Sequence, residues 1–107
     1  MNQDLEIWEN IEGYEDFYQV SNLGRVKSLD RTILRSDLTS CFYKGTIRKF
    51  QHSSNGYLEL WLCKDGFHYL FKVHLLVANA FLQGAFVKHI DGNKYNNQAD
   101  NIECYTK

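Results

Sequence analysis

One short stretch places an imidazole, a carboxylate and a run of side-chain amides close together: His89-Ile90-Asp91-Gly92-Asn93-Lys94, then Asn96-Asn97 and finally Asn101. An imidazole takes up a proton near neutral pH, so His89 suits general-base work, and an amide such as Asn101 can hydrogen-bond its ring or the neighbouring backbone and fix its orientation. Asp and Asn side chains bond nearby backbone N–H groups and Gly tolerates positive φ, so Asp91, Gly92 and Asn93 describe a tight loop. Asp91 therefore reads first as a loop-forming carboxylate and second, by general carboxylate chemistry, as a metal ligand. His74 opens an apolar run and reads as a hydrogen-bonded structural histidine. His52 and His68 stand in or beside strands without partners at ligand spacing and receive no role.

The elements that must carry this stretch are mostly strands. Phe17 to Val20 is aromatic and β-branched, Ser21 to Gly24 is a turn, and Arg25 to Leu29 alternates polar and apolar, which predicts a hairpin. Trp8 and Ile11 belong to an opening loop or turn. Residues 30 to 44 lack periodicity and read as a wandering connection. Thr46 to Gln51, Tyr57 to Cys63 and Phe67 to Lys72 form a meander, split by Ser54-Asn55-Gly56 and Lys64-Asp65-Gly66. Val73, Leu76, Val77, Ala80 and Phe81 then share one helical face, and that helix ends near Gly84. Phe86-Val87 leads as a short strand to His89, and residues 101 to 105 follow the polar loop. The fold class expected is α+β, an antiparallel β-meander with one central helix.

At 107 residues, 44% hydrophobic and 15% aromatic, the chain can bury one small core to which its aromatic side chains must contribute heavily. No apolar run approaches a membrane span, and no apolar signal region follows the acidic N-terminus, so a cytoplasmic protein is expected. Cys41, Cys63 and Cys104 are odd in number and lack C-x-x-C spacing, which argues against a disulfide framework and a zinc knuckle. The net charge of -1 conceals a division. Residues 1 to 24 hold six acids and no Lys or Arg, whereas residues 25 to 49 hold seven bases against two acids. That basic segment fits contact with phosphates, the alternative being an ordinary solvated charged face.

Two stretches carry a family resemblance. Residues 6 to 28, with Trp8, Ile11, Gly13-Tyr14-Glu15, Tyr18, Val20-Ser21-Asn22, Gly24, Val26 and Ser28, resemble the N-terminal modular motif that accompanies many homing endonucleases. Val73-His74-Leu75-Leu76-Val77 through Ala80-Phe81, with the His89-to-Asn101 stretch, resembles the pattern of HNH nucleases of that group. The two occur in the family's own order across nearly the whole chain. The resemblance implies an N-terminal β motif over 1–50 and an HNH-like domain over 51–107, packed as one unit, the latter being a ββα-metal element cut short before its last helix. It implies phosphodiester hydrolysis with His89 and Asn101 as catalytic residues and Mg²⁺ or Mn²⁺ as cofactor if the protein is active; Asp91 is kept as a metal candidate on general carboxylate chemistry alone. It further implies double-stranded DNA as partner and the cytoplasm of a bacterial host as location; the charge pattern offers Arg25, Lys27, Arg31, Arg48, Lys49, Lys88 and Lys94 as the cations that would hold the duplex.

One departure bears on activity. The family places Asp or Asn just before the catalytic His, where it reaches the metal, and this chain has Lys88 there. An ammonium repels a cation instead of ligating it. The family's second metal ligand belongs to a helix after the segment that ends this chain. Three functions are thus weighed: an active metal-dependent nuclease, a DNA-binding module whose cleavage is weak or lost, and a small phage-type protein that inhibits a host protein or defence complex.

Overall fold

The computed structural model describes residues 5–34, 36–82 and 86–105, the side chains of Ile33, Leu34, Phe86, Cys104 and Tyr105 excepted. Strands β1 (Trp8–Asn10), β2 (Tyr18–Ser21) and β3 (Val26–Ser28) form one antiparallel sheet in that order, with Val20 opposite both Glu9 and Val26. The turn between β2 and β3 is closed by Ser21, whose hydroxyl accepts the N–H groups of Leu23 and Arg25, both at 3.2 Å. Trp8, placed by sequence in a loop, is thus the first residue of a strand.

The segment read as a wandering connection is a hairpin. β4 (Arg31–Leu34) pairs with β5 (Ser40–Tyr43), and Asp37 closes the bend by accepting the N–H and hydroxyl of Thr39. Thr32, Ser40, Phe42 and Tyr43 are exposed, so among the residues whose burial is described no alternating pattern marks these strands for sequence reading.

The expected meander is present as β6 (Gln51–His52), β7 (Leu58–Lys64) and β8 (Phe67–Lys72). Its Asp65-Gly66 turn has φ of 54° and 83°, the conformation that makes Asp-Gly a strong hairpin signal. The first strand is shorter than read, because Thr46 to Arg48 run along β3 instead, with the Ser28 N–H donating to Thr46 O and the Arg48 N–H to Val26 O.

Helix α1 (Val73–Val77) continues as a π-helical turn over Ala78–Leu82, and the expected end at Gly84 lies outside the described residues. β9 (Phe86–His89) and β10 (Ile102–Tyr105) close the chain as an antiparallel pair, preceded by a 3₁₀ turn at Ala99–Asn101. The architecture is α+β, mostly antiparallel strands with one short helix.

One core joins these pieces. Ile11, Tyr14, Tyr18, Val20 and Val26 pack with Leu60 and Leu62, with Val73, Leu76, Val77 and Ala78, and with Ile102. Each fully buried aliphatic side chain here contributes on the order of 1.5–3 kcal/mol. Helix α1 packs on β2, β7 and β8, and the π-helical turn that continues it packs on β1 and β10. Among the described residues no helix is long and apolar enough to cross a membrane.

Candidate active site

The β9–β10 pair holds His89 opposite Ile102 and Lys88 opposite Glu103. Ile102 is buried in the core, so the end of β9 that carries His89 is anchored against the body of the protein. Between the strands the polar loop is wired by Asn101. Its backbone carbonyl accepts the Ile90 N–H at 2.8 Å and its side-chain oxygen accepts the Asp91 N–H at 3.2 Å. Its amide nitrogen donates to Asp91 Oδ1 and to Asn96 O, each at 2.9 Å. Asn101 thus fixes the backbone beside His89 and not the ring.

Asp91 is the hub of that loop. Besides Asn101, the Asn93 N–H reaches Oδ1 at 2.8 Å and the Asn96 amide reaches Oδ2 at 3.1 Å. The Asn93 N–H first, and then the Asn101 and Asn96 amides, hold the Asp91 carboxyl below its ordinary range. Gly92 follows with φ of 77°, as a tight turn requires.

The ring of His89 belongs to Asn97, a residue within the motif to which sequence alone assigns no role. Asn97 Oδ1 lies 2.7 Å from His89 Nε2. An amide oxygen only accepts, so Nε2–H is the donor of this bond and, in the neutral ring, Nδ1 carries the lone pair. Asn97 is 3% exposed and its own Nδ2 has no partner among the described residues. Its backbone is pressed against the β2–β3 turn, where a Cβ on Gly24 would lie 2.9 Å from the Asn97 carbonyl carbon and oxygen. The Ala99 N–H donates to Asn22 O at 2.7 Å, tying the same turn to the same loop.

His74, the second residue of α1, is buried against the site. Its ring centroid lies 5.1 Å from that of His89 and stacks on Tyr57 at 4.7 Å. It is a packed histidine, as its place in an apolar run predicts, yet Nδ1 finds no hydrogen bond among the described residues. Burial, then the charge of His89 and that of Lys72, push its pKa down to about 4, so the ring is neutral at physiological pH. Tyr57 also lies under the Lys94 ammonium at 4.7 Å, and Lys94 donates to Asn55 O at 2.8 Å. His52 packs on Tyr95, and His68 Nδ1 lies 2.8 Å from Cys63 Sγ, neither near His89.

The candidate DNA-binding cations fall into different surroundings. Lys88 is exposed and lies 3.5 Å from the Glu103 carboxylate. Arg25 is clasped by Glu6, whose carboxyl it holds below the usual range, and lies with Lys27 over the Trp8 ring. Arg31 rests on Phe17 and Tyr43, Arg48 rests on Tyr18, and Lys49 is exposed. Lys88 and Lys94 flank the His89 loop. The other five share no hydrogen bond, ion pair or ring contact with His89 among the described residues.

Among the described residues no group of three or more His, Cys, Asp and Glu side chains could hold a metal ion. The position before His89 is an ammonium, and both Asp91 oxygens already accept loop hydrogen bonds.

Comparison with known proteins places this geometry. The family model described as the NUMOD4 motif matches residues 6–63, running from β1 through β7. DNA endonuclease I-HmuI of Bacillus phage SP01 is 38% identical over 104 residues, covering 94% of this chain and 52% of that protein. An uncharacterized HNH endonuclease of Acanthamoeba polyphaga mimivirus is 32% identical over 115 residues, covering 99% of this chain and 25% of that protein. A solved structure of the HNH homing endonuclease I-HmuI, from work on its DNA binding and cleavage, superposes with a TM-score of 0.65 at 36% identity. That superposition covers 90% of this chain and 50% of the other. The chain therefore spans about half the length of I-HmuI and a quarter of the mimivirus protein. With a NUMOD4 motif over more than half its residues and HNH endonucleases as its relatives, this chain belongs to the HNH homing endonuclease family.

Proposed function

We propose that this chain binds double-stranded DNA and carries the HNH phosphodiester-hydrolysing site of a phage or mobile-element endonuclease, with cleavage weak or lost. The observation that carries the reading is the His89–Asn97 pair, 2.7 Å from Nε2 to Oδ1. It leaves Nδ1 as the basic atom, ready to accept a proton from water as the water oxygen attacks phosphorus. Asn101 is a positioning residue here, because it orders residues 90 to 96 without touching the ring.

In this family Mg²⁺ or Mn²⁺ would offset charge on the transition state, a contribution of several kcal/mol. Among the described residues no group of three or more His, Cys, Asp and Glu side chains supports that ion, and Lys88 stands where the family pattern carries a ligand. Lys88 instead suits a point-charge contact with a phosphate, so binding outlasts catalysis. Residues 1–50 serve as the duplex-contacting module and 51–107 as the nuclease-derived unit. The setting is the cytoplasm of a bacterial host.

The test is incubation of supercoiled plasmid with micromolar protein and either Mg²⁺ or Mn²⁺, alongside duplex binding at low salt. Metal-dependent nicking that His89→Ala abolishes would establish residual catalysis. Salt-sensitive binding without nicking is the expected result, and absence of both would remove the DNA reading.

A second reading, inhibition of a host protein or defence complex, draws on one observation. Trp61 and Leu70 face each other across β7 and β8 and are 46% and 41% exposed, an apolar pair open to a protein partner. A pull-down from bacterial lysate that yields no stoichiometric partner would remove it.

A further inference from the structure

Three cations of the N-terminal half converge on one concavity. Arg31, Lys44 and Arg48 line a pocket of about 190 Å³ together with Tyr18 and Ser28, and no carboxylate lines it. That volume is several times the roughly 30 Å³ a water molecule occupies in the liquid. None of the three is ion-paired among the described residues, whereas Arg25, Lys72 and Lys88 each meet a glutamate. Arg31 lies 5.5 Å from the Phe17 ring centroid and 6.0 Å from that of Tyr43, and Arg48 lies 5.7 Å from that of Tyr18. Aromatic faces of this kind orient a guanidinium and leave its N–H edge free to donate.

Tyr18 adds an independent sign. It is 4% exposed, and its Oη accepts the Cys63 N–H at 3.1 Å and Arg48 Nη1 at 3.4 Å. With two hydrogen bonds accepted, the hydroxyl's own proton has no acceptor among the described residues. The backbone is shaped to bring Lys44 there. A Cβ on Gly45 would lie 2.2 Å from Ser28 O, so only glycine lets this segment lie against Ser28, and the Gly45 N–H is held by Asp30 Oδ1 at 2.6 Å.

We propose that this pocket binds a backbone phosphate of duplex DNA, fixing the register of the duplex at a point remote from His89. The inference rests on the DNA reading above and adds a defined subsite to it. Two guanidinium groups and an ammonium match the several acceptor oxygens of a phosphodiester. Such a contact positions the protein and carries no sequence information.

The test is fluorescence anisotropy with a labelled duplex across a salt series, comparing wild type, Arg31→Gln with Arg48→Gln, and Lys72→Gln as a control for a charge removed outside the pocket. The double variant is expected to bind roughly 10- to 100-fold more weakly, with a plot of log K against log salt flatter by about 0.9 for each phosphate that is no longer neutralised. If its affinity and slope match those of Lys72→Gln, the pocket proposal is overturned while the DNA reading stands. If wild type binds no duplex, the DNA reading falls. Inorganic phosphate at constant ionic strength then decides the pocket: a rise in Tm for wild type that the double variant lacks supports an anion site, and no rise overturns it.

Discussion

The backbone of Gly24 touches that of Asn97, so the turn of the N-terminal motif and the residue that holds His89 are in direct contact. A Cβ at position 24 would approach the Asn97 carbonyl to 2.9 Å, and Gly24 has φ of 85°. Gly24→Ala meets both obstacles, left-handed backbone strain and a clash with main chain that has no rotamer to turn aside. We expect a loss of roughly 2–4 kcal/mol of folding free energy, measured by urea denaturation. Unchanged stability would mean that the two segments are not packed in this way.

Asn97 itself is the next point to probe. Asn97→Ala removes the acceptor at His89 Nε2 and leaves a half-buried ring nitrogen without a partner. The expected cost is about 1–3 kcal/mol. Its signature is a change in the His89 ring, from one tautomer protonated at Nε2 to a mixture, read from long-range ¹H–¹⁵N correlations. A ring that keeps the Nε2–H tautomer in the variant would show that Asn97 does not set it.

Local signals made part of this legible. Asp65-Gly66 needs nothing beyond its own φ preferences to mark a hairpin, and Asp91, Asn93 and Asn101 bond backbone within their own loop. Relationships across the fold were not legible. Asn93, Asn96, Asn97 and Asn101 are equivalent amides in one stretch, and only contact with the β2–β3 turn selects Asn97 for the ring. Arg25 belongs to a basic segment, yet Glu6, 19 residues earlier, engages it. The β4–β5 hairpin escaped because no alternating pattern marks the residues whose burial is described.

Acid should weaken the fold through His74. The folded pKa of about 4 lies below the 6.5 of an unhindered imidazole, so between these values the unfolded chain binds the proton and the folded protein does not. Stability is therefore complete above pH 6.5 and falls toward pH 4, with a limiting slope of about 1.4 kcal/mol per pH unit and a total near 3 kcal/mol. His74→Phe keeps a ring against Tyr57 and removes the titration. The difference between the two stability–pH curves isolates His74, and parallel curves would show that burial does not depress it.

Lys88 can be tested directly, because it stands where the family pattern carries an Asp or Asn. Lys88→Asn removes an ammonium beside His89 and supplies a neutral oxygen where the family pattern carries Asn or Asp. The Lys88–Glu103 pair that it breaks is more than half exposed on both sides, and exposed pairs of this kind add little to stability, so the fold should survive. Removing a repulsive charge and adding a ligand both favour divalent-cation binding, whose electrostatic contribution to phosphodiester hydrolysis is several kcal/mol. We expect Mn²⁺-dependent plasmid nicking at least ten times that of the parent chain, abolished again by His89→Ala in the same background. A folded Lys88→Asn protein that nicks no more than its parent would mean that position 88 does not limit cation binding. The limitation would then lie with His89 or with the donor set as a whole, in which both Asp91 oxygens are already committed to the loop.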